Sequence, residues 1–339
     1  MSEKILLIDG HSILNRAYYG LPELTNSEGL HTNAIYGFLN ILFKTIEEEK
    51  PDYLTVAFDL HAPTFRHQMY DAYKGTRKPM PQELREQVPV MKDVLAAMGV
   101  CMISMEGYEA DDLLGTLAKK SEAKGMEVTV LSGDRDLLQL ASSHICIRIP
   151  KTRFGKTTVE DYFADDVKEK YQLSPEQIIE LKALMGDASD NIPGLPGVGE
   201  KTATKILLEY GSVENAHAHA EDIKPNKAKN AFLAVLSKKL ATINTDSPVD
   251  YDWDSARIKD FYTQEAYEFF KELEFKNFLS RFEDTSAPAE AQKSFSTVTE
   301  LDKAEEIFAK ARTTPELGLH ILKENGVFLG MGLACRDGE

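Results

Sequence analysis

The stretch Gly107-Tyr108-Glu109-Ala110-Asp111-Asp112 places three carboxylates within four residues and runs directly into Leu113-Leu114-Gly115-Thr116-Leu117-Ala118, which is apolar at helical spacing. Glu109, Asp111 and Asp112 therefore crowd the first turn of a predicted helix. On a turn of about 3.6 residues, Glu109 and Asp112 lie about 60° apart and Asp111 about 100° from Asp112. One or two acids at a helix start need only the helix dipole as an explanation. Three beside a buried apolar face repel one another unless cations or protons intervene. The chemistry this suggests is divalent-metal binding.

Other acids recur at the ends of predicted strands. Apolar runs at residues 4–8, 53–58 and 127–132 lead into Asp9, Asp59 and Asp134, with Asp136 two positions further on. Helical patterns at 33–48 and 88–98, the acidic helix and a short strand at 100–104 complete an alternation. It predicts an α/β fold with a mainly parallel, twisted sheet and helices on both faces. In such sheets ligands bind beyond the carboxyl ends of the strands. An aspartate after one strand is ordinary turn chemistry. Three of them, together with the 109–112 cluster, are predicted to converge on one edge as a polyacidic metal site. Oxygen-rich, nitrogen-free ligation suits Mg²⁺ or Mn²⁺ rather than zinc.

Two further stretches point to a polyanionic substrate. Residues 62–81 interleave Phe65, Tyr70 and Tyr73 with Arg66, Lys74, Arg77 and Lys78 before Pro79 and Pro81. That pattern suits stacking on unpaired bases with backbone neutralisation, and it equally suits a solvated loop. Residues 184–203 hold Pro196-Gly197-Val198-Gly199-Glu200-Lys201-Thr202-Ala203 between two helical patterns. Glycines there allow close backbone approach, and the free N–H groups of a helix starting near Glu200 can face a phosphate, with Lys201 and Lys205 nearby. The arrangement is the helix-hairpin-helix form of duplex binding, which grips phosphates without reading sequence. Just upstream, Asp187 and Asp190 would share a face if that end is helical.

The chain has 339 residues, 42% hydrophobic and 28% charged, enough for one large domain plus something smaller, or for two domains. The net charge of −16 argues on average against nucleic acid. Local basic strips offset that average: Lys224, Lys227, Lys229, Lys238 and Lys239 without an intervening acid, and the 63–85 segment with Arg66, Lys74, Arg77, Lys78 and Arg85. The opening apolar run is too short for a signal peptide and no later run reaches membrane-spanning length. Cys101, Cys146 and Cys335 lack metal spacing and read as buried thiols in a reducing cytoplasm. His217 and His219 read as surface residues, and Trp253 and the aromatics between 261 and 282 as core. Residues 283–292 have linker composition. A helix at 301–311 and strands at 317–322 and 327–334, joined by a hairpin turn at 324–326, read as a domain cut short, since forty-odd residues bury too little core.

Taken together these residues resemble the amino-terminal 5′ nuclease domain of bacterial DNA polymerase I and, more widely, the flap endonuclease family. The matching stretches are Ile8-Asp9-Gly10-His11 with Arg16, Ala57-Phe58-Asp59 with Thr64-Phe65-Arg66, Tyr73-Lys74-Gly75-Thr76-Arg77, the 107–112 cluster, Asp134-Arg135-Asp136-Leu137, and residues 186–203. They run in order from residue 4 to about 282. The resemblance implies a PIN/flap-endonuclease-like core at 1–180 with a helical arch near 63–98. It also implies a helix-hairpin-helix subdomain at 181–282, a linker at 283–293, and at 294–339 the start of a 3′–5′ exonuclease-like α+β domain. Active members of that last domain carry Asp-x-Glu in the first strand; residues 317–322 carry no acid, so proofreading is not expected, and no polymerase domain is present.

For the site, the resemblance implies two divalent ions about 4 Å apart, which activate a water and neutralise the phosphate. Asp111 and Asp134 would hold one ion and Asp134, Asp136 and Asp187 the other. Asp9, Asp59, Glu109, Asp112 and Asp190 would act directly or through waters. Lys74 and Arg77 would stabilise the phosphate from the arch, Arg16 and Arg66 would contact neighbouring phosphates, and Tyr73 would stack on a displaced base. Gly197, Gly199, Lys201 and Lys205 would hold the duplex, with K⁺ among the turn carbonyls. The implied substrates are 5′ flaps, nicks and RNA-primed duplexes, handled by a cytoplasmic monomer normally continuous with a polymerase. Two other readings compete: another metal-dependent phosphatase or RNase, which leaves the 197–203 hairpin unexplained, and a non-catalytic DNA-junction binding module, which leaves the clustered carboxylates without a purpose.

Overall fold

A parallel strand covered on both faces must be apolar at successive positions rather than alternate ones. Ile5-Leu6-Leu7-Ile8 meets that requirement, and all four are buried in strand β1, Lys4–Asp9. The structure, a computed structural model, describes residues 2–153, 156–219, 231–283, 298–312, 318–324 and 327–334. The expected positions Lys224, Lys227, Lys229 and Cys335, the 284–293 linker and the turn residues 325–326 lie outside the described residues. The chain divides into two units, Met1–Glu274 and Phe275–Glu339.

In the first unit, β1 is joined by β2 (Tyr53–Ala57), β3 (Cys101–Ile103), β4 (Glu127–Leu131), β5 (Ile145–Arg153) and β6 (Lys156–Tyr162). Their order across the sheet is β3-β2-β1-β4-β5-β6, and every pairing is parallel except the last. The strand order reverses beside β1, so a crevice is expected where the carboxyl ends of β1 and β4 diverge. Ile5, Leu7, Val128, Val130, Ile145 and Ile147 form one core with Ala110, Leu114, Leu117 and Ala118 of the helix Ala110–Ala123. The alternate residues Leu6, Ile8, Leu54 and Val56 point the other way and are equally buried, so the sheet is covered on both faces. Among the described residues no helix is long and apolar enough to cross a membrane.

Helices Pro175–Met185 and Glu200–Tyr210 share a second core of Leu181, Leu184, Val198, Ala203 and Leu207. Between them the chain crosses itself: a Cβ added at Gly194 would stand 2.2 Å from the carbonyl carbon of Met185. Asp187 and Asp190 do not share a helix face. The helix stops at Met185 because Gly186 takes φ +74°, and Asp187 and Ile192 then close a tight turn, exchanging N–H···O bonds of 2.9 and 2.8 Å.

The expected helix at 88–98 begins earlier, at Gln82, and carries Pro89 inside Gln82–Ala97. Cys146 is buried but Cys101 only partly so. His217 and His219 are exposed, and Trp253 packs edge-on to Tyr53 and Tyr251. In the second unit, helix Leu301–Ala311 and the antiparallel pair β7 (Gly318–Glu324) and β8 (Val327–Ala334) match the expected elements. Strand β7 extends past the expected end to Glu324, its single acid, and has no Asp-x-Glu pair.

The crossing is testable. Gly194→Ala is expected to cost about 3 kcal/mol or more in urea unfolding because backbone cannot move aside. Gly199→Ala, at φ −100° with open space around its Cβ position, is expected to cost less than about 1 kcal/mol.

Candidate active site

The strand ends carry a set of carboxylates, each oriented by hydrogen bonds. Asp9, the last residue of β1, accepts from Ser12 N at 3.0 Å, capping the helix Gly10–Gly20, and from Ser132 Oγ at 2.9 Å. Ser132 Oγ in turn accepts from Asp134 N at 3.0 Å, and Asp134 Oδ1 accepts from Asp136 N at 2.9 Å. Asp59, beyond β2, accepts from Ala110 N at 2.8 Å, at the start of the acidic helix. The ends of β1 and β4 are thereby tied to each other, and the end of β2 is tied to the start of the acidic helix.

No lysine or arginine among the described residues pairs with Asp9, Asp59, Asp111 or Asp134. Burial, reinforced by Asp59 and Asp134, pushes the Asp9 carboxyl up to about 7. Burial followed by Asp9, Asp134 and Asp59 holds Asp111 well above the usual carboxylate range. The Asp111 Oδ1 is buried without a hydrogen-bond partner. Such a group calls for a cation or a proton, and an all-oxygen donor set suits a hard divalent ion. Among the described residues no three His, Cys, Asp or Glu side chains have the spacing of a ready-made metal cage, so an ion would have to draw these carboxylates inward.

The remaining acids are compensated from within. Arg66 lies on the short helix Phe65–Met69, is 2% exposed, and gives Asp112 two bonds of 2.7 Å and Glu109 one of 3.1 Å. Its other donors reach Leu240 O at 2.9 Å and Thr242 O at 2.7 Å. Asp112 also accepts from Asn244 N at 2.8 Å and Glu109 N at 3.0 Å. Both oxygens of Asp112 are thus saturated, which corrects its expected place among the metal ligands. Arg66 is likewise not on a phosphate-facing surface. Burial alone would lower its pKa; Asp112 and Glu109 reverse that and raise it.

Tyr73 is corrected in the same way. It is 3% exposed, its hydroxyl donates to Glu109 (3.0 Å) or Asp190 (3.2 Å), and it cannot offer a ring to a base from there. Lys74 reaches Glu109 at 2.7 Å, and Arg77, half exposed, pairs with Asp190. Arg16 is half-buried against the Ser132–Asp134 turn, its Nε without a hydrogen-bond partner. Gly197, Gly199, Lys201 and Lys205 are exposed on the second helical pair.

The sequence reading missed Lys182, which bridges Asp136 and Asp187. Burial and Asp134 push Asp136 up to about 7 against the pull of Lys182, while Lys182 and Ser189 overcome burial to hold Asp187 down to about 2. It also missed Ser132, which links Asp9 to Asp134, and His11, whose Nδ1 accepts from Asp59 N at 3.2 Å. A lysine in a helix's last turn and a serine after a strand are too common for sequence to single out.

Two outcomes are expected. An unfolded aspartate titrates near 3.9, so between about pH 4 and 7 the folded chain binds more protons at Asp9 and Asp136 than the unfolded one, and stability falls as pH rises. Asp187 acts oppositely, but only below about pH 4. Without divalent ions, melting is therefore expected at higher temperature near pH 5.5 than near pH 8, each carboxylate contributing up to about 1.4 kcal/mol per pH unit in that window; Mg²⁺ is expected to reduce the difference. Arg66→Ala leaves Asp112 buried and uncompensated, and should cost roughly 3–5 kcal/mol in urea unfolding.

A family model described as the 5′–3′ exonuclease N-terminal resolvase-like domain matches residues 4–172, and one described as the 5′–3′ exonuclease C-terminal SAM fold matches residues 173–264. The chain is 44% identical to DNA polymerase I of Bacillus caldotenax and 43% identical to that of Bacillus subtilis, over 97% and 96% of its own length. It spans only 39% of the length of either relative. Among solved structures, T5 5′-exonuclease with bound zinc aligns at TM-score 0.59 and 22% identity, over 80% of this chain and 99% of that one. The catalytic core of Rad2 in complex with DNA aligns at TM-score 0.52 and 18% identity, over 84% and 91%. At such identities the likeness is one of fold. The two family models, adjoining and in order over residues 4–264, and the sequence relatives together establish that this chain belongs to the 5′–3′ exonuclease family of nucleases.

Proposed function

We propose that the chain hydrolyses phosphodiester bonds in DNA carrying a 5′ flap, a nick or an RNA primer, using two Mg²⁺ or Mn²⁺ ions. The observation that carries the reading is the set of Asp9, Asp59, Asp111 and Asp134: mutually repelling carboxylates without a lysine or arginine partner among the described residues, beside a turn that presents Lys74 and Arg77. T5 5′-exonuclease with its zinc and Rad2 with its DNA support the ligand classes.

Asp111 and Asp134 would hold one ion and Asp134, Asp136 and Asp187 the other, with Asp9 and Asp59 acting directly or through waters. When bound, such ions lower the pKa of a water and offset charge on the phosphate. The chain's own residues do the rest. Ser12 and Ser132 hold Asp9 in orientation, and Ala110 N holds Asp59. Lys74 and Arg77 exchange Glu109 and Asp190 for phosphate oxygens as the strand enters, so their charge is delivered to the substrate only when it is present. Lys182 must release Asp136 and Asp187 for them to serve as ligands. Exposed Gly197, Gly199, Lys201 and Lys205 would carry the duplex in a helix-hairpin-helix at 181–282, with K⁺ at its turn, apart from the nuclease core at 1–180. Residues 294–339 would open a 3′–5′ exonuclease-like module without a proofreading pair. In a longer polymerase like the relatives, the activity would serve primer removal in the cytoplasm, from a monomer.

The test is cleavage of a 5′-labelled flap duplex with Mg²⁺, beside Asp134→Asn. The parent is expected to cut near the junction of single strand and duplex, and the variant to lose about 10²-fold or more in rate while still binding. Binding without cutting by the parent, in Mg²⁺ and in Mn²⁺, would replace the nuclease with a junction-binding module. Equal cutting by the two proteins would show that the metal site is misplaced.

A further inference from the structure

Lys74 sits on the turn after helix Phe65–Met69 with φ +54°, a left-handed conformation uncommon for a residue other than glycine. Two contacts to this turn come from the Asp187–Ile192 turn. Lys74 N donates to Asp190 O at 2.8 Å, and Asn191 Nδ2 donates to Ala72 O at 2.6 Å. These two bonds run in opposite directions and bracket Lys74: one takes its own amide, the other the carbonyl two residues before it. Asn191 is itself left-handed, φ +55°, a conformation that asparagine tolerates better than most residues. The next residue, Ile192, is buried with Tyr73, Leu240 and Ala241, so the two turns are also held by a small apolar cluster.

Two kinds of polar contact hold this turn. The side chains of Lys74 and Arg77 meet the carboxylates of Glu109 and Asp190, which a phosphate can displace, with Arg77 Nε also donating to Ser189 O at 3.3 Å. The Asn191 amide is uncharged and bound to a backbone carbonyl, so it has no reason to exchange when a polyanion arrives. We infer that Asn191 is a positioning residue for Lys74, stapling the strained turn to the Asp187–Ile192 turn so that the ammonium keeps its place once it leaves Glu109. The inference rests on the proposed role of Lys74 at the phosphate. An error of about 1 Å in such a group can cost up to about 10²-fold in rate without weakening binding.

The experiment is single-turnover flap cleavage by the full chain with Mg²⁺, reading the maximal rate and the half-saturating enzyme concentration separately, with thermal unfolding of every variant. Asn191→Ala and Asn191→Gly are each expected to lower the maximal rate about 10-fold while the half-saturating concentration stays within about 2-fold. In a Lys74→Ala background, Asn191→Ala should slow cleavage by no more than about 2-fold further, because the residue acts through a group already removed. If Asn191→Gly keeps the parent rate, the left-handed backbone and not the amide is what matters, and the staple is overturned. It is equally overturned if Asn191→Ala slows the Lys74→Ala protein as much as it slows the parent, or if the loss of rate only follows the loss of folded protein. A parent that does not cut, or a Lys74→Ala variant as fast as the parent, overturns the underlying reading of the site and the staple with it.

Discussion

The Arg66 guanidinium ties together parts of the chain that local structure alone would leave unsatisfied. A helix that ends inside a protein leaves its last carbonyls without N–H partners, and acids at another helix's first turn need positive charge when buried. Arg66 answers both needs, giving Nε to Leu240 O and one Nη to Thr242 O at the end of Ala231–Ala241, and bidentate bonds to Asp112 at the start of Ala110–Ala123. Planar, permanently charged and rich in donors, arginine is the side chain that can make this set of bonds at once. The acidic helix is thereby locked in rotation, with Asp112 turned inward and Asp111 toward the strand ends.

That lock sorts the acids into two electrostatic populations. Glu109, Asp112 and Asp190 meet Arg66, Lys74 and Arg77, so their charges largely cancel. Among the described residues Asp9, Asp59, Asp111 and Asp134 have no such partners, and the cost appears as raised carboxyl pKa values at Asp9 and Asp111. Asp136 and Asp187 are intermediate, bridged by Lys182. A cluster that destabilises the metal-free fold while offering oxygen ligands trades stability for function.

Much of the framework was legible from periodicity and punctuation. Unbroken apolar runs marked the buried parallel strands, and the aspartate after each marked the carboxyl edge, because the parallel arrangement leaves the chain to turn there in every repeat. The differences have local causes. Asp187 and Asp190 sit on a turn because Gly186, crossing Gly194, ends the helix before them. The helix expected from residue 88 starts six residues earlier, at Gln82, and runs through Pro89.

The identity of the acids, their placement after strands and the family were determined by the sequence, because each depends on residue type and spacing along the chain. Which acids are free and which are neutralised was decided only by the tertiary structure. Arg66 and Tyr73 read as surface groups in a basic, aromatic segment. They are buried because Glu109 and Asp112, some forty positions away, and Asp190, more than a hundred away, fold onto them. Charge compensation depends on distances of a few ångströms between remote segments, and linear spacing carries no measure of those.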